Sequence, residues 1–281
     1  MSAAGADTAP LVLGVAPNGA YKTVRDHPRV PVTRDAIVAD AIACRDAGAS
    51  LFHLHVRDAA GRHLLDAPAY RDATAAIRRA VGDTLVVQIT TEAASRYGRA
   101  AQMAVVRAVR PEAVSIALRE LVPDAPAEPE AHAFFAWLRA ENVMPQYILY
   151  SPDEVARYRD LRARGVIPAA RDFLLFVLGR YSTGQVSAPA DLLPFLQAHD
   201  GTTPWATCAF GPGEAACAMA AAALGGHVRV GLENNLYLPD GTLAPDNATL
   251  VRNAAAGAAI IGRRLASADE VREMLGSGRR G

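Results

Sequence analysis

Only three cysteines occur in 281 residues, Cys44, Cys208 and Cys217, and their spacing is not that of a metal knuckle. Their surroundings are apolar, so buried reduced thiols are expected, which excludes a disulfide scaffold and fits a cytoplasmic location. Charge of one sign is not in excess. The 29 Lys and Arg residues balance 29 Asp and Glu, leaving no electrostatic footprint for nucleic acid or an anionic membrane surface. Arginine greatly outnumbers lysine, but the arginines are scattered over expected helix faces. Long hydrophobic runs are missing too: the stretch from Ala215 to Leu224 is too short and alanine-rich to span a bilayer. Residues 1–10 have neither a basic n-region nor an apolar h-region, so a loose, disordered tail is expected there and not a leader peptide.

What the sequence does contain is a large apolar fraction, 51% against 21% charged, enough for a sizeable core over residues 11–281. The apolar runs are of strand length and regularly spaced. They begin at Leu11, Leu51, Leu85, Ala113, Gln146, Phe173, Trp205 and Val228. Helical periodicity separates them. Thr33 caps the first helix, Asp66 the second, and Ser151-Pro152-Asp153-Glu154 reads as a capping box opening the fifth. The last helices run from Asn247 to about Leu275. Strands apolar on both faces are what a helix-covered parallel sheet requires. Eight such repeats predict an α/β fold of the closed (β/α)8 TIM-barrel type. A doubly wound open sheet is the alternative, but no Gly-x-Gly-x-x-Gly follows the first strand.

One stretch stands out against this background: Ser50-Leu51-Phe52-His53-Leu54-His55-Val56-Arg57-Asp58. It is expected as a continuous strand ending at Asp58. Residues two apart share a face, so His53 and His55 are expected side by side, half of a metal site. Strands one, two and eight adjoin in a closed barrel, which brings Glu233 towards both histidines. Two histidines and one carboxylate leave coordination positions open, as catalytic sites do. Zinc suits a redox-inert task, and the same ligands could hold non-haem iron. Other groups expected at the carboxyl-end rim are Asn18, Tyr21, Thr90, Thr91, Glu92, Glu120, Tyr147, Tyr150, Arg180, Tyr181, Arg229 and Asn234.

These residues carry a resemblance. His53-Leu-His-Val-Arg-Asp58, Gln88-Ile-Thr-Thr91, Phe176-Val-Leu-Gly179 and Gly225-Gly-His-Val-Arg-Val-Gly-Leu-Glu-Asn234 are similar to segments of the β-keto acid cleavage enzyme family. The similarity runs from about Leu11 to about Leu275. It implies a zinc ion on His53, His55 and Glu233. It also implies cleavage of a β-keto acid with acetyl-CoA as co-substrate, giving acetoacetate and a new acyl-CoA. By resemblance Arg229 works beside the metal, Thr90 stands for a family serine, and the assembly is a homo-oligomer, a tetramer in relatives.

Departures from the family pattern matter equally. Asn234 replaces an acidic residue, and an amide cannot act as a base. Tyr21 replaces a glutamate that faces a substrate ammonium, so a substrate without that ammonium is expected. Ile148 replaces a glutamate on the fifth strand. Glu92 and Glu120 are acids gained on neighbouring loops, and Glu120 is favoured as a relocated base. A second class of function stays open: a metal-binding barrel of the same ancestry with another carbon–carbon lyase or hydrolase activity, or a ligand-binding protein without cleavage activity.

Overall fold

A computed structural model describes residues 9–169 and 171–276. Most of the expected N-terminal tail, residues 1–8, lies outside the described residues, as do 277–281 of the expected C-terminal part. Ten strands form. In chain order they are β1 (Leu13–Val15), β2 (Leu51–Leu54), β3 (Val56–Arg57), β4 (His63–Leu64), β5 (Val86–Thr90), β6 (Ala113–Ala117), β7 (Met144–Leu149), β8 (Phe173–Leu178), β9 (Trp205–Ala209) and β10 (His227–Val230). Eight of them close into a barrel in the order β1-β10-β9-β8-β7-β6-β5-β2, with every neighbouring pair parallel. The fold is the expected (β/α)8 barrel. Among the described residues no helix is long and apolar enough to cross a membrane.

Period-two alternation divides the core into two shells. The inner one fills the barrel with Leu51, Val86, Met144, Phe173, Leu175 and Ala206. The outer one lies beneath the helices and includes Leu13, Phe52, Val87, Phe134, Tyr147 and Tyr158. Above the inner apolar layer the lining turns polar, with His53, Gln88 and Gln146 linked by hydrogen bonds. The site rests on that layer.

Three local expectations are corrected. The histidine strand is not continuous to Asp58: β2 ends at Leu54, because the His55 carbonyl accepts from Asn18 Nδ2 (3.0 Å) instead of a neighbouring strand. The chain then leaves the barrel as an antiparallel hairpin, β3 with β4. The capping box at Ser151 is incomplete. Ser151 Oγ accepts from the Glu154 N–H, but the Glu154 carboxylate accepts from the Tyr150 N–H and from Arg119 Nε (2.6 Å). Tyr147 is absent from the rim; it faces the helix shell, 5.5 Å from Phe135 and 5.4 Å from Tyr158 between ring centres. The opposite face of the same strand delivers Ile148 to the pocket.

Candidate active site at the carboxyl end of the barrel

The loop after β1 and the turn after β10 bring the ligand candidates together. Gly231 adopts φ +137°, and its N–H donates to Glu214 Oε1 (3.0 Å). This turns the chain so that Glu233, beyond the end of β10, faces His53. His53 Nε2 and His55 Nε2 are 3.0 Å apart, and Glu233 Oε2 lies 3.6 Å and 3.7 Å from them. All three side chains are buried or nearly so.

Tautomers follow from the partners. His53 Nδ1 meets Gln88 Oε1 at 2.8 Å, and the Gln88 amide nitrogen is committed to Gln146. Gln88 therefore accepts, and His53 carries its proton on Nδ1. Its Nε2 is left as a lone pair facing His55 Nε2. Burial pushes the His53 pKa down to about 4, with Arg229 adding to the effect, and the same burial holds His55 well below its ordinary range. Both rings are neutral. Glu233 Oε2 has no hydrogen-bond partner among the described residues. Burial would raise its pKa, but the positive charges of Arg229 and Lys22 hold it below the usual carboxylate range. With the His55 proton on Nδ1, the two Nε2 atoms and Glu233 Oε2 would offer three lone pairs to one small cation. The donor set suits zinc or another borderline divalent ion.

Arg229 is 4% exposed. Its Nη2 reaches Glu233 Oε1 (3.3 Å) and Cys208 Sγ (3.4 Å), while Nε and Nη1 have no partner among the described residues. A buried guanidinium with two unused donors is equipped for a bound carboxylate. Asn18, Tyr21, Thr90 and Glu92 line the same cavity of about 120 Å³, as do His53, Arg229 and Glu233. Asn18 is fully buried; its amide nitrogen binds the Pro31 and His55 carbonyls, leaving Oδ1 unpartnered.

Tyr150 and Arg180 line the cavity too, whereas Thr91, Asn234 and Glu120 do not. Thr91 is buried against the Ser115 carbonyl. Asn234 packs behind the pocket, near Glu214. Glu120 sits on a short helix, Leu118–Leu121, and its carboxylate accepts from Gln102 Nε2 (2.6 Å) and the Ala93 N–H (3.2 Å). It braces the Glu92 loop and does not line the cavity. Glu92 does, and burial together with the charges of Glu120 and Glu233 pushes its pKa up to about 7.

Several residues were missed by sequence reasoning. Lys22 lines the cavity, and its Nζ donates to the Glu233 carbonyl (2.6 Å). Among 29 Lys and Arg residues it is the only lysine, a signal legible from composition. Arg180 was not missed: it is expected at the rim and does line the cavity, between the Tyr21 and Phe210 rings, 5.3 Å and 5.0 Å from their centres. Glu214 is fully buried beneath Gly231, Asn234 and Asn235. His63 and Arg57 act from the hairpin. Arg57 donates to the carbonyls of Asn18, Gly19, Ala20 and Lys22, holding the loop after β1 by its backbone.

Barrel and site together define a class: a (β/α)8 enzyme with two histidines and a carboxylate at its carboxyl-end mouth, open to a small acidic substrate. Comparison with known proteins narrows the class. The model of the β-keto acid cleavage enzyme family matches residues 10–276, and the chain belongs to that family. A 3-keto-5-aminohexanoate cleavage enzyme of Fusobacterium nucleatum is 29% identical over 94% of this chain and 97% of its own. A 3-oxoadipate:acetyl-CoA acetyltransferase of Cupriavidus necator is 29% identical over 96% and 95%. Among solved structures, ObcA shares the fold with a TM-score of 0.70 at 18% identity, covering 90% of this chain and 66% of that one.

Proposed function

We propose that this chain transfers the acyl group of a β-keto acid to coenzyme A using acetyl-CoA, releasing acetoacetate and a new acyl-CoA. One divalent metal, zinc, is held by His53 Nε2, His55 Nε2 and Glu233. The observation that carries this reading is the convergence of two imidazole lone pairs and an unpartnered carboxylate oxygen on the floor of the pocket. Family membership and the relatives that use acetyl-CoA support it. Zinc at that point supplies Lewis acidity to a keto carbonyl, which makes the α-protons acidic.

The chain's own residues divide the remaining work. Arg229 offers Nε and Nη1 to the substrate carboxylate, fixing the α-carbon next to the metal ligands. Glu92 takes the α-proton; a pKa near 7 matches the operating pH, which general-base catalysis favours. Thr90 and Asn18 present hydroxyl and amide groups to the substrate. Lys22 and Arg180 make the pocket lining cationic, and Tyr21 provides no carboxylate for an ammonium. The substrate's tail is therefore without an ammonium, and a tail carboxylate is favoured. The protein works in the cytoplasm as a homo-oligomer, which light scattering on purified protein would check.

A panel of β-keto acids with acetyl-CoA tests the reading, with acetoacetate followed as product. Turnover is expected in zinc-loaded protein, lost on chelation and restored by zinc. Tails ending in carboxylate should outperform neutral ones, and amino-terminated tails should be poorest. Absence of acetyl-CoA consumption across the panel in zinc-loaded protein would overturn the proposal.

A further inference from the structure

We infer that His63, on the hairpin outside the barrel, is a positioning residue that holds His55 in its metal-binding tautomer and ties the metal site to the Glu92 loop. The inference rests on the metal reading above.

The hydrogen-bond chain starts at a group whose role cannot change. The backbone carbonyl of Glu92 can only accept, and His63 Nε2 lies 2.9 Å from it. His63 therefore carries its proton on Nε2, and in the neutral ring Nδ1 is a lone pair. That lone pair faces His55 Nδ1 at 3.3 Å; with a cation taking the Nε2 atoms of both His53 and His55, the one proton of His55 belongs on Nδ1, donated to His63. The His55 Nε2 lone pair then points at the ligand cluster, where it faces His53 Nε2. Each ligand histidine is thus oriented from behind by a different acceptor: the amide of Gln88 for His53 and the ring of His63 for His55. Outer partners of this kind fix the tautomer and raise the basicity of the ligand nitrogen.

Packing makes His63 a hub. The ring is 2% exposed, 5.0 Å from His55 and 6.2 Å from Tyr97 between ring centres. Its carbonyl accepts from Arg96 Nη1 (2.5 Å). The segment from Glu92 to Arg96 therefore grips His63 at both its ring and its backbone, and His63 passes that grip to a metal ligand. Glu92 belongs to the pocket, so one imidazole links its loop to the metal.

Zinc affinity, measured on the purified full chain by competition with a chromophoric chelator, tests this without any turnover assay. Wild type is expected to bind about one zinc per chain. His63→Phe keeps an aromatic ring but removes the acceptor, and should weaken binding about 10–100-fold. His63→Gln offers an oxygen to His55 and an N–H to the Glu92 carbonyl, and should recover most of the loss. Equal affinity in wild type and His63→Phe would overturn the inference while leaving the metal reading intact. Equal losses in His63→Phe and His63→Gln would also overturn it, by assigning the effect to ring packing. Wild type without zinc affinity would overturn both readings. Should His63→Phe fail to fold, long-range nitrogen–proton spectra of histidine-labelled, zinc-loaded wild type decide the matter. His55 protonated at Nδ1 upholds the inference, and His55 unprotonated there ends it.

Discussion

Residues two apart on a strand share a face, which makes His53 and His55 legible as a pair from sequence alone. Glu233 followed from barrel closure. The base was harder to read, because spacing does not say which of two loop acids turns inward. Glu120 is committed to Gln102 and the Ala93 N–H, whereas Glu92 lines the cavity. Glu92→Gln should therefore lower kcat about 10²–10⁴-fold, the usual range for a lost general base, with zinc content unchanged. Glu120→Gln should cost less, acting only through the loop. Glu92 works as a base only when deprotonated, so kcat/KM should rise with pH through about 7 and level off above it. That limb should flatten in Glu92→Gln; an unchanged profile would remove Glu92 from the role. His53→Ala should lose most of its zinc while its circular dichroism stays that of a folded barrel. His63 had no legible role in sequence, because a hairpin folds it back onto His55 and its other partner, the Glu92 carbonyl, lies 29 residues on.

Secondary structure was the most legible level of the element scale. Eight apolar runs and their caps located the barrel strands to within a residue or two, except for the end of β2. The misplacements came from side chains that intercept backbone groups: Asn18 ends β2 by taking the His55 carbonyl, and Glu154 serves Tyr150 and Arg119. The turn after β10 shows how tightly an element can specify a ligand. A methyl group on Gly231 would lie 2.4 Å from the Ala16 carbonyl oxygen, at a φ of +137°. Gly231→Ala should destabilise the protein by about 3 kcal/mol and weaken zinc binding, because Glu233 lies two residues on. Urea unfolding and chelator competition measure the two effects separately. Stability loss with zinc affinity intact would mean that the turn does not set the ligand.

For the whole molecule, the closed barrel follows from the count and polarity of its strands, but the bond that seals its floor does not. Arg272, on the last helix, Ala268–Leu275, meets Glu112, just before β6, at 2.5 Å between Nε and Oε1. Both are buried, and they are 160 residues apart. Glu112→Ala leaves a buried guanidinium with the Asp83 carbonyl and Asp269 as its remaining partners among the described residues. It should cost about 3 kcal/mol in urea unfolding and leave zinc affinity unchanged, since the pair lies at the end opposite the pocket. A change in zinc affinity would show that the two mouths are coupled.

Arg57 carries a different kind of consequence. By fastening the carbonyls of Asn18, Gly19, Ala20 and Lys22, it holds the shape of that loop without help from the side chain at position 21. Position 21 is thereby free to vary over generations without disturbing the chemistry beneath it. Substrate preference can diversify by single substitutions, and an engineer retargeting this scaffold would edit Tyr21 and leave the arginine alone.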